Sequence, residues 1–129
     1  MRKMITLSIL ALGLVIGVFG YQQATSANNT NFFFNFLNGT ANTAAQAKQT
    51  TSSMYIRSNN MVGGNGFSAR PALANGNSVG QAKTVVLNQD TYLTNYAVEN
   101  YGSGIRVRIN ASAPPSGPQS ASGYWRPDL

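Results

Sequence analysis

The sequence predicts an all-β fold, a small antiparallel β-sandwich of about six or seven short strands. Residues 104–110 alternate strictly between apolar β-branched and polar side chains, which is the two-residue period of a half-buried strand. Three Asn-Gly pairs separate short apolar runs, and Asn-Gly is typical of tight β-turns. Few segments repeat their apolar residues at the period of a helix. Strands are therefore expected over most of the chain.

Residues 1–27 have the layout of a secretory signal peptide, in which two cationic residues precede an apolar run over residues 4–19. As a helix this run spans about 24 Å, less than the roughly 30 Å hydrocarbon core of a bilayer, which favours cleavage over anchoring. We therefore expect a signal helix, cleavage after Ala27, release from the cell and a single domain over residues 28–129. An uncleaved N-terminal anchor is the alternative.

The first strands are predicted from segments rich in aromatic and β-branched residues. Residues 31–37 carry apolar side chains on both faces, so we expect this strand inside a sheet. The Ala-rich residues 40–49 fit either a short helical turn or a strand. Residues 51–57 alternate as a strand with one buried face. Two turns rich in Asn and Gly follow, at residues 58–60 and 63–66. An apolar run over residues 67–73 comes after them.

The remaining strands are predicted in the second half of the chain. Residues 92–101 alternate, and their Thr, Asn and β-branched content disfavours a helix. Prolines lack an amide hydrogen, so residues 113–118 form an exposed loop. The other predicted strands are residues 84–87, 104–110 and 120–125. The predicted core consists of Phe32, Phe34, Phe36, Met54, Ile56, Val86, Tyr96, Val98, Ile105, Val107, Ile109 and Trp125.

Composition excludes several classes of enzyme and metal site. The chain has no Cys and no His, which excludes thiol catalysis, disulfides, zinc fingers and Ser-His-Asp triads. The spacing of its three carboxylates, Asp90, Glu99 and Asp128, predicts no shared cleft for a two-carboxylate hydrolase. A Ser-Lys pair would need Lys48 or Lys83 to be desolvated beside a serine. We therefore expect no enzymatic activity, no cofactor and no metal.

Two groups of exposed side chains are candidates for binding, and the first is Arg106 and Arg108. They stand about 7 Å apart on one strand face, close enough to contact neighbouring phosphates or lipid headgroups. A merely solvated strand face is the alternative. The formal net charge of the chain is +6. We expect an anionic cell-wall polymer or membrane surface as partner, and no nucleic acid, because dispersed cations neutralise few phosphates at once.

The second group of candidate residues is Tyr92, Tyr101 and Tyr124, which we expect on outward faces together with Tyr55. Aromatic rings surrounded by Asn and Gln hold sugar rings through their apolar faces and through hydrogen bonds to hydroxyls. The group therefore predicts contact with a glycan. Simple packing of the tyrosines across neighbouring strands is the alternative.

The C-terminal run of residues 122–128, Ser-Gly-Tyr-Trp-Arg-Pro-Asp, follows an export leader and an Asn- and Tyr-rich segment. In this it resembles small secreted proteins of Gram-positive bacteria, some of which resemble bacteriocins of the lactococcin 972 type. That resemblance implies an exported β-sandwich. The absence of cysteine from a small exported domain also fits a bacterial protein.

Three functions from different classes fit these observations. The first is a secreted, non-enzymatic binding protein that acts at the cell envelope or in the medium. The second is a secreted, cationic, bacteriocin-like antimicrobial protein. The third is an extracellular structural protein that self-assembles through exposed strand edges, which an Asn-rich sequence of low charge permits.

Overall fold

The computed structural model describes residues 29–129, which form two antiparallel β-sheets and one short helix. The predicted all-β sandwich is confirmed for this part of the chain, and the predicted signal peptide lies outside it. The number of strands is nine, because the structure adds very short strands that the sequence pattern did not separate. The elements are β1 (Thr30–Asn35), β2 (Thr40–Asn42), β3 (Gln46–Lys48), β4 (Met54–Val62), β5 (Gly66–Leu73), β6 (Lys83–Val86), β7 (Asp90–Leu93), α1 (Ala97–Tyr101), β8 (Ile105–Ser112) and β9 (Ser120–Arg126).

The chain crosses repeatedly between the two sheets. Sheet 1 has the strand order β1-β9-β4-β7, and sheet 2 has the order β2-β8-β5-β6, with β3 also paired to β8. The turns at Asn38-Gly39 and Asn65-Gly66 therefore connect strands of different sheets. The pair Asn75-Gly76 lies in a tight turn within sheet 2, where the N–H of Leu73 donates to the carbonyl of Asn77 at 2.8 Å.

The core lies between the sheets, and its buried apolar residues alternate along strands such as β1, β4 and β8. Phe34 of β1 meets Phe67 of β5 edge-on, with ring centroids 5.7 Å apart. Each of these rings is almost completely buried, as is Trp125 of β9. The predicted core residues that the structure buries are Phe32, Phe34, Phe36, Met54, Ile56, Val107, Ile109 and Trp125.

Tyr96 and Val98 were predicted in the core, but the structure does not bury them there. They belong to the segment after β7, which is not the continuous strand we predicted over residues 92–101. Asn95 begins a turn there: its side chain donates to the carbonyl of Leu93 at 3.1 Å and accepts from the N–H of Ala97 at 3.2 Å. The helix α1 follows directly. Every second residue of this segment is buried, and the buried residues are Leu93, Asn95 and Ala97. Tyr96 is therefore exposed and Val98 is half-buried.

Further differences from the predictions concern which residues face the core, which strand lies at an edge and which segments form strands. Val85 faces the core, whereas we predicted Val86 there. Ile105, also predicted in the core, is half-buried and packs against the core. The first strand, β1, lies at the edge of sheet 1 and not inside it, and Phe33 on its outer face is 69% exposed. Residues 40–49 form β2 and β3 and no helix, whereas residues 58–60, predicted as a turn, continue β4 through a bulge.

Gly123 of β9 lies opposite Ser58 of β4 at a close approach of the two backbones. A Cβ atom on Gly123 would overlap the carbonyl oxygen of Arg57 and lie 2.8 Å from the Cα of Ser58. We expect Gly123→Ala to lower the free energy of unfolding by about 1–3 kcal/mol, because the two strands must move apart. Urea denaturation measures the loss. Gly66→Ala is the control, since its Cβ would meet no atom closer than 3.5 Å; an equal loss in both variants would contradict the explanation.

Candidate functional site

The outer surface of sheet 2 carries three arginines, Arg70, Arg106 and Arg108, and we call it the arginine face. Val107 and Ile109 of β8 point into the core, so Arg106 and Arg108 project outward, as the alternation predicts. The neighbouring strand β5 supplies Arg70, which lies directly opposite Asn110 of β8. Pairing of β5 with β8 thus adds a third guanidinium to the two that the sequence analysis identified.

Arg70 and Arg108 line an open groove of about 520 Å³ on this face, which we call the arginine groove. No carboxylate is among the residues that line it. The neutral polar side chains of its lining supply four hydroxyls and three amides: Thr40, Ser68, Ser78 and Ser112, and Asn42, Asn77 and Asn110. Guanidinium, hydroxyl and amide groups all donate hydrogen bonds, so the lining suits an anion.

Arg108 is held in place by the turn that follows β5. Its Nε donates to the side-chain oxygen of Asn110 at 2.8 Å, and its Nη1 donates to the carbonyl of Ala74 at 3.3 Å. The amide of Asn110 in turn donates to the carbonyl of Gly76 at 3.1 Å. Arg106 is anchored separately, through Nη2 to the carbonyl of Ala45 at 2.8 Å, and does not line the groove.

The charges of the arginine face are not neutralised by carboxylates of this domain. Within residues 29–129 the structure has two ion pairs, Lys48 with Asp128 and Arg57 with Asp90, and neither lies on this face. The remaining acidic side chain, Glu99, belongs to α1. No carboxylate of the described residues therefore forms an ion pair with the arginines of this face.

The outer surface of sheet 1 brings two of the predicted tyrosines together around a third. The ring centroid of Tyr55 lies 5.5 Å from that of Tyr92 and 6.0 Å from that of Tyr124. The guanidinium of Arg126 lies 4.2 Å from the centroid of the Tyr55 ring. We call these four side chains the tyrosine cluster. Tyr101 is not part of it, because α1 packs against β8 of sheet 2.

The hydroxyl of Tyr55 bonds to a side chain outside the tyrosine cluster, whereas the buried Nε of Arg126 has no hydrogen-bond partner among the described residues. The hydroxyl of Tyr55 donates to Asp90 at 2.6 Å, and Arg57 donates to the same oxygen at 2.9 Å. Burial raises the pKa of Tyr55, and its bond to Asp90 adds to the shift. The same bond, followed by that of Arg57, lowers the pKa of Asp90. Tyr92, at 45% exposed, is the ring of the cluster most open to a sugar, since Tyr55 is 4% exposed and Tyr124 is half-buried.

Lys48 is completely buried, as a Ser-Lys pair would require, but its partners differ from those of such a pair. Its ammonium group donates to Asp128 at 3.1 Å, to the carbonyl of Pro127 at 2.7 Å and to the carbonyl of Ser52. All three protons are therefore used. The hydroxyl of Ser52 instead hydrogen-bonds that of Thr50 at 2.7 Å. The arrangement ties β3 to the C-terminal residues.

Opposing effects act on the charged groups of this buried pair. Burial lowers the pKa of Lys48, whereas the hydrogen bond and the charge of Asp128 raise it. Burial also raises the pKa of Asp128, but hydrogen bonds from Gln49, Thr50 and Lys48 outweigh it and leave the pKa below its usual value. Asp128 is therefore ionised at neutral pH.

The sequence analysis missed Arg70, although its alternation with Ser68 against the buried Phe67 and Ala69 is visible in the sequence. Pro71 hid the signal, because proline is unusual within a paired strand.

Within residues 29–129, no three His, Cys, Asp or Glu side chains gather as a metal site would need. In the same range, no helix has the length and apolarity to cross a bilayer.

A protein-family model described as a protein of unknown function (DUF2712) matches residues 20–129. The chain therefore belongs to the DUF2712 family. No curated protein and no solved structure matches the chain. The family match shows no link to bacteriocins of the lactococcin 972 type, so that resemblance stays a prediction.

Proposed function

We propose that this member of the DUF2712 family is an exported, non-enzymatic binding protein that holds a phosphate-bearing polymer of the cell envelope in its arginine groove. The observation that carries the proposal is a groove with two guanidiniums, seven neutral polar side chains and no carboxylate. The order of residues in the leader region supports export. The scarcity of acids, none of them in the groove, supports binding over catalysis.

The two arginines of the groove have complementary roles in this proposal. Arg108 is positioned in advance by Asn110 and Ala74, so less side-chain entropy is lost when it contacts a phosphate. Arg70 is exposed on the neighbouring strand and makes no salt bridge among the residues that the structure describes. It is available to contact a second oxygen of the same phosphate, or the next phosphate along the chain.

The shape and the neutral lining of the groove favour a polymer over a flat membrane surface. A concave site can enclose a chain, whereas a bilayer meets mainly the projecting parts of a protein. Hydroxyl and amide groups at Ser68, Ser112 and Asn42 can hydrogen-bond the polyol or sugar units between phosphates. Because a few surface cations supply most of the attraction, binding is weak at each repeat and sensitive to salt.

A binding measurement with poly(glycerol phosphate) tests the proposal. We expect the double variant Arg70→Ala, Arg108→Ala to bind this polymer roughly 30-fold more weakly than the parent, since each cation contributes about 1 kcal/mol. Calorimetry at low and high salt measures the affinity, and far-UV circular dichroism checks the fold. Uncharged dextran is the control ligand and should not bind.

The matched control is the double variant Lys83→Ala, Arg106→Ala, which removes the same charge from outside the groove. We expect it to retain most of the affinity. An equal loss in both double variants would show that net charge and not the groove determines binding, and would overturn the proposal. Tighter binding to vesicles of phosphatidylglycerol than to the polymer would do so as well, in favour of a membrane surface.

A further inference from the structure

The edge strand β1 has backbone groups that no other strand of the described domain pairs with. It pairs on one side with β9, and the N–H of Phe36, just beyond its end, donates to Gln119 at 2.9 Å. Backbone groups of successive strand residues point to opposite sides, so Phe32 and Phe34 also bond towards β9. The N–H and C=O groups of Asn31, Phe33 and Asn35 therefore point to the open edge.

This edge also lacks the features that usually prevent edge-to-edge pairing. Proteins protect exposed edges with charged residues, prolines, bulges or very short strands. The opposite edge of sheet 1, β7, contains Asp90, and the β6 edge of sheet 2 contains Lys83. In contrast, β1 has six residues, and residues 28–47 contain no ionisable side chain. Phe33, at 69% exposed, projects from its solvent face.

The sequence of the edge is a palindrome, Asn31-Phe32-Phe33-Phe34-Asn35. If two copies pair antiparallel with Phe33 opposite Phe33, each Asn31 faces an Asn35, and every pair repeats under a two-fold axis. We propose that two copies of this chain form a closed dimer by pairing their β1 strands in this register. The two four-stranded sheets then become one sheet of eight strands.

The distribution of charge favours a second copy of this chain as the partner of the β1 edge. Residues 28–129 have a formal charge of +4, because the seven Lys and Arg that follow Arg2 and Lys3 outnumber the three acids. Two copies therefore repel over most of their surfaces. The uncharged β1 edge is where they approach at least electrostatic cost. Since the described domain of each copy has one such long, uncharged edge, pairing stops at two, and the outcome is a dimer and not the open-ended assembly considered from the sequence.

Dimerisation through β1 also has a consequence for binding, which rests on the proposed function. When one sheet continues across a two-fold axis perpendicular to it, both copies of sheet 2 lie on the same side. The two arginine grooves then face the same direction, and one polymer chain or one surface can occupy both. Linked sites of this kind bind more tightly than either site alone.

Charge variants at Phe33 test the dimer directly. We expect the parent to sediment as a dimer at micromolar concentration, and Phe33→Lys and Phe33→Glu each to be monomeric, because like charges would face each other across the axis. An equimolar mixture of the two variants should restore the dimer. Val62→Lys is the control and should remain a dimer. Val62 is also an exposed residue of sheet 1, but it lies on an interior strand. A monomeric parent would overturn the proposal.

Single cysteines test the register, because the chain contains none of its own. Under mild oxidation we expect Phe33→Cys to form a disulfide-linked dimer, since directly opposed strand residues have Cα atoms about 5.5 Å apart. Asn31→Cys should form far less, because four residues of strand separate its two copies in this register. Equal cross-linking would contradict the register. These measurements need no ligand, so their failure is distinct from failure of polymer binding.

Discussion

The variant Lys48→Ala is expected to have a free energy of unfolding about 3–5 kcal/mol below that of the parent. The ammonium of Lys48 donates all three protons, to Asp128, Pro127 and Ser52. Alanine leaves these acceptors short of a partner and removes the cation opposite a partly buried carboxylate. It also leaves a space where the side chain lay. The loss is large because the side chain of Lys48 is completely buried.

Urea denaturation compares this variant with two others. Lys48→Met keeps most of the side-chain volume and loses the hydrogen bonds, so its stability should fall between those of the parent and Lys48→Ala. Lys83→Ala removes an exposed lysine of β6 and should lie within about 0.5 kcal/mol of the parent. A loss of less than 1 kcal/mol for Lys48→Ala would contradict the account of Lys48 as a buried link between β3 and the C-terminal residues.

The sequence predicted the faces of strands well where one alternating set was clearly more apolar than the other. In β8, Val107 and Ile109 stand against two arginines, and the structure buries the apolar set. Around β7 both sets contain apolar residues. The large ring of Tyr96 led us to place the wrong set in the core, because a tyrosine can also lie on an outer face with its hydroxyl in water.

The position of a strand within its sheet could not be read from its own residues. Apolar side chains on both faces of residues 31–37 predicted an interior strand, but β1 lies at an edge. Which strands are neighbours depends on contacts between distant parts of the chain. For the same reason Arg106 and Arg108 were found from local alternation, whereas Arg70 joined them only through the pairing of β5 with β8.

The variant Trp125→Ala is expected to lose about 3–5 kcal/mol of unfolding free energy. Trp125 is 1% exposed on β9, opposite Thr30 of β1 and Ile56 of β4. Removing the indole leaves a cavity between the two sheets that the surrounding strands can close only in part. Because Trp125 is the only tryptophan of the chain, far-UV circular dichroism and not tryptophan fluorescence should follow the unfolding of both proteins.

The control for this prediction is the adjacent residue of the same strand. Tyr124 lies on the outer face of sheet 1, so Tyr124→Ala removes contacts with Tyr55 but opens no space in the core. We expect a loss of no more than about 1.5 kcal/mol, as for a cross-strand aromatic pair. The comparison therefore tests which face of β9 meets sheet 2. A greater loss from Tyr124→Ala than from Trp125→Ala would place the tryptophan outside, and the two-sheet sandwich would be wrong.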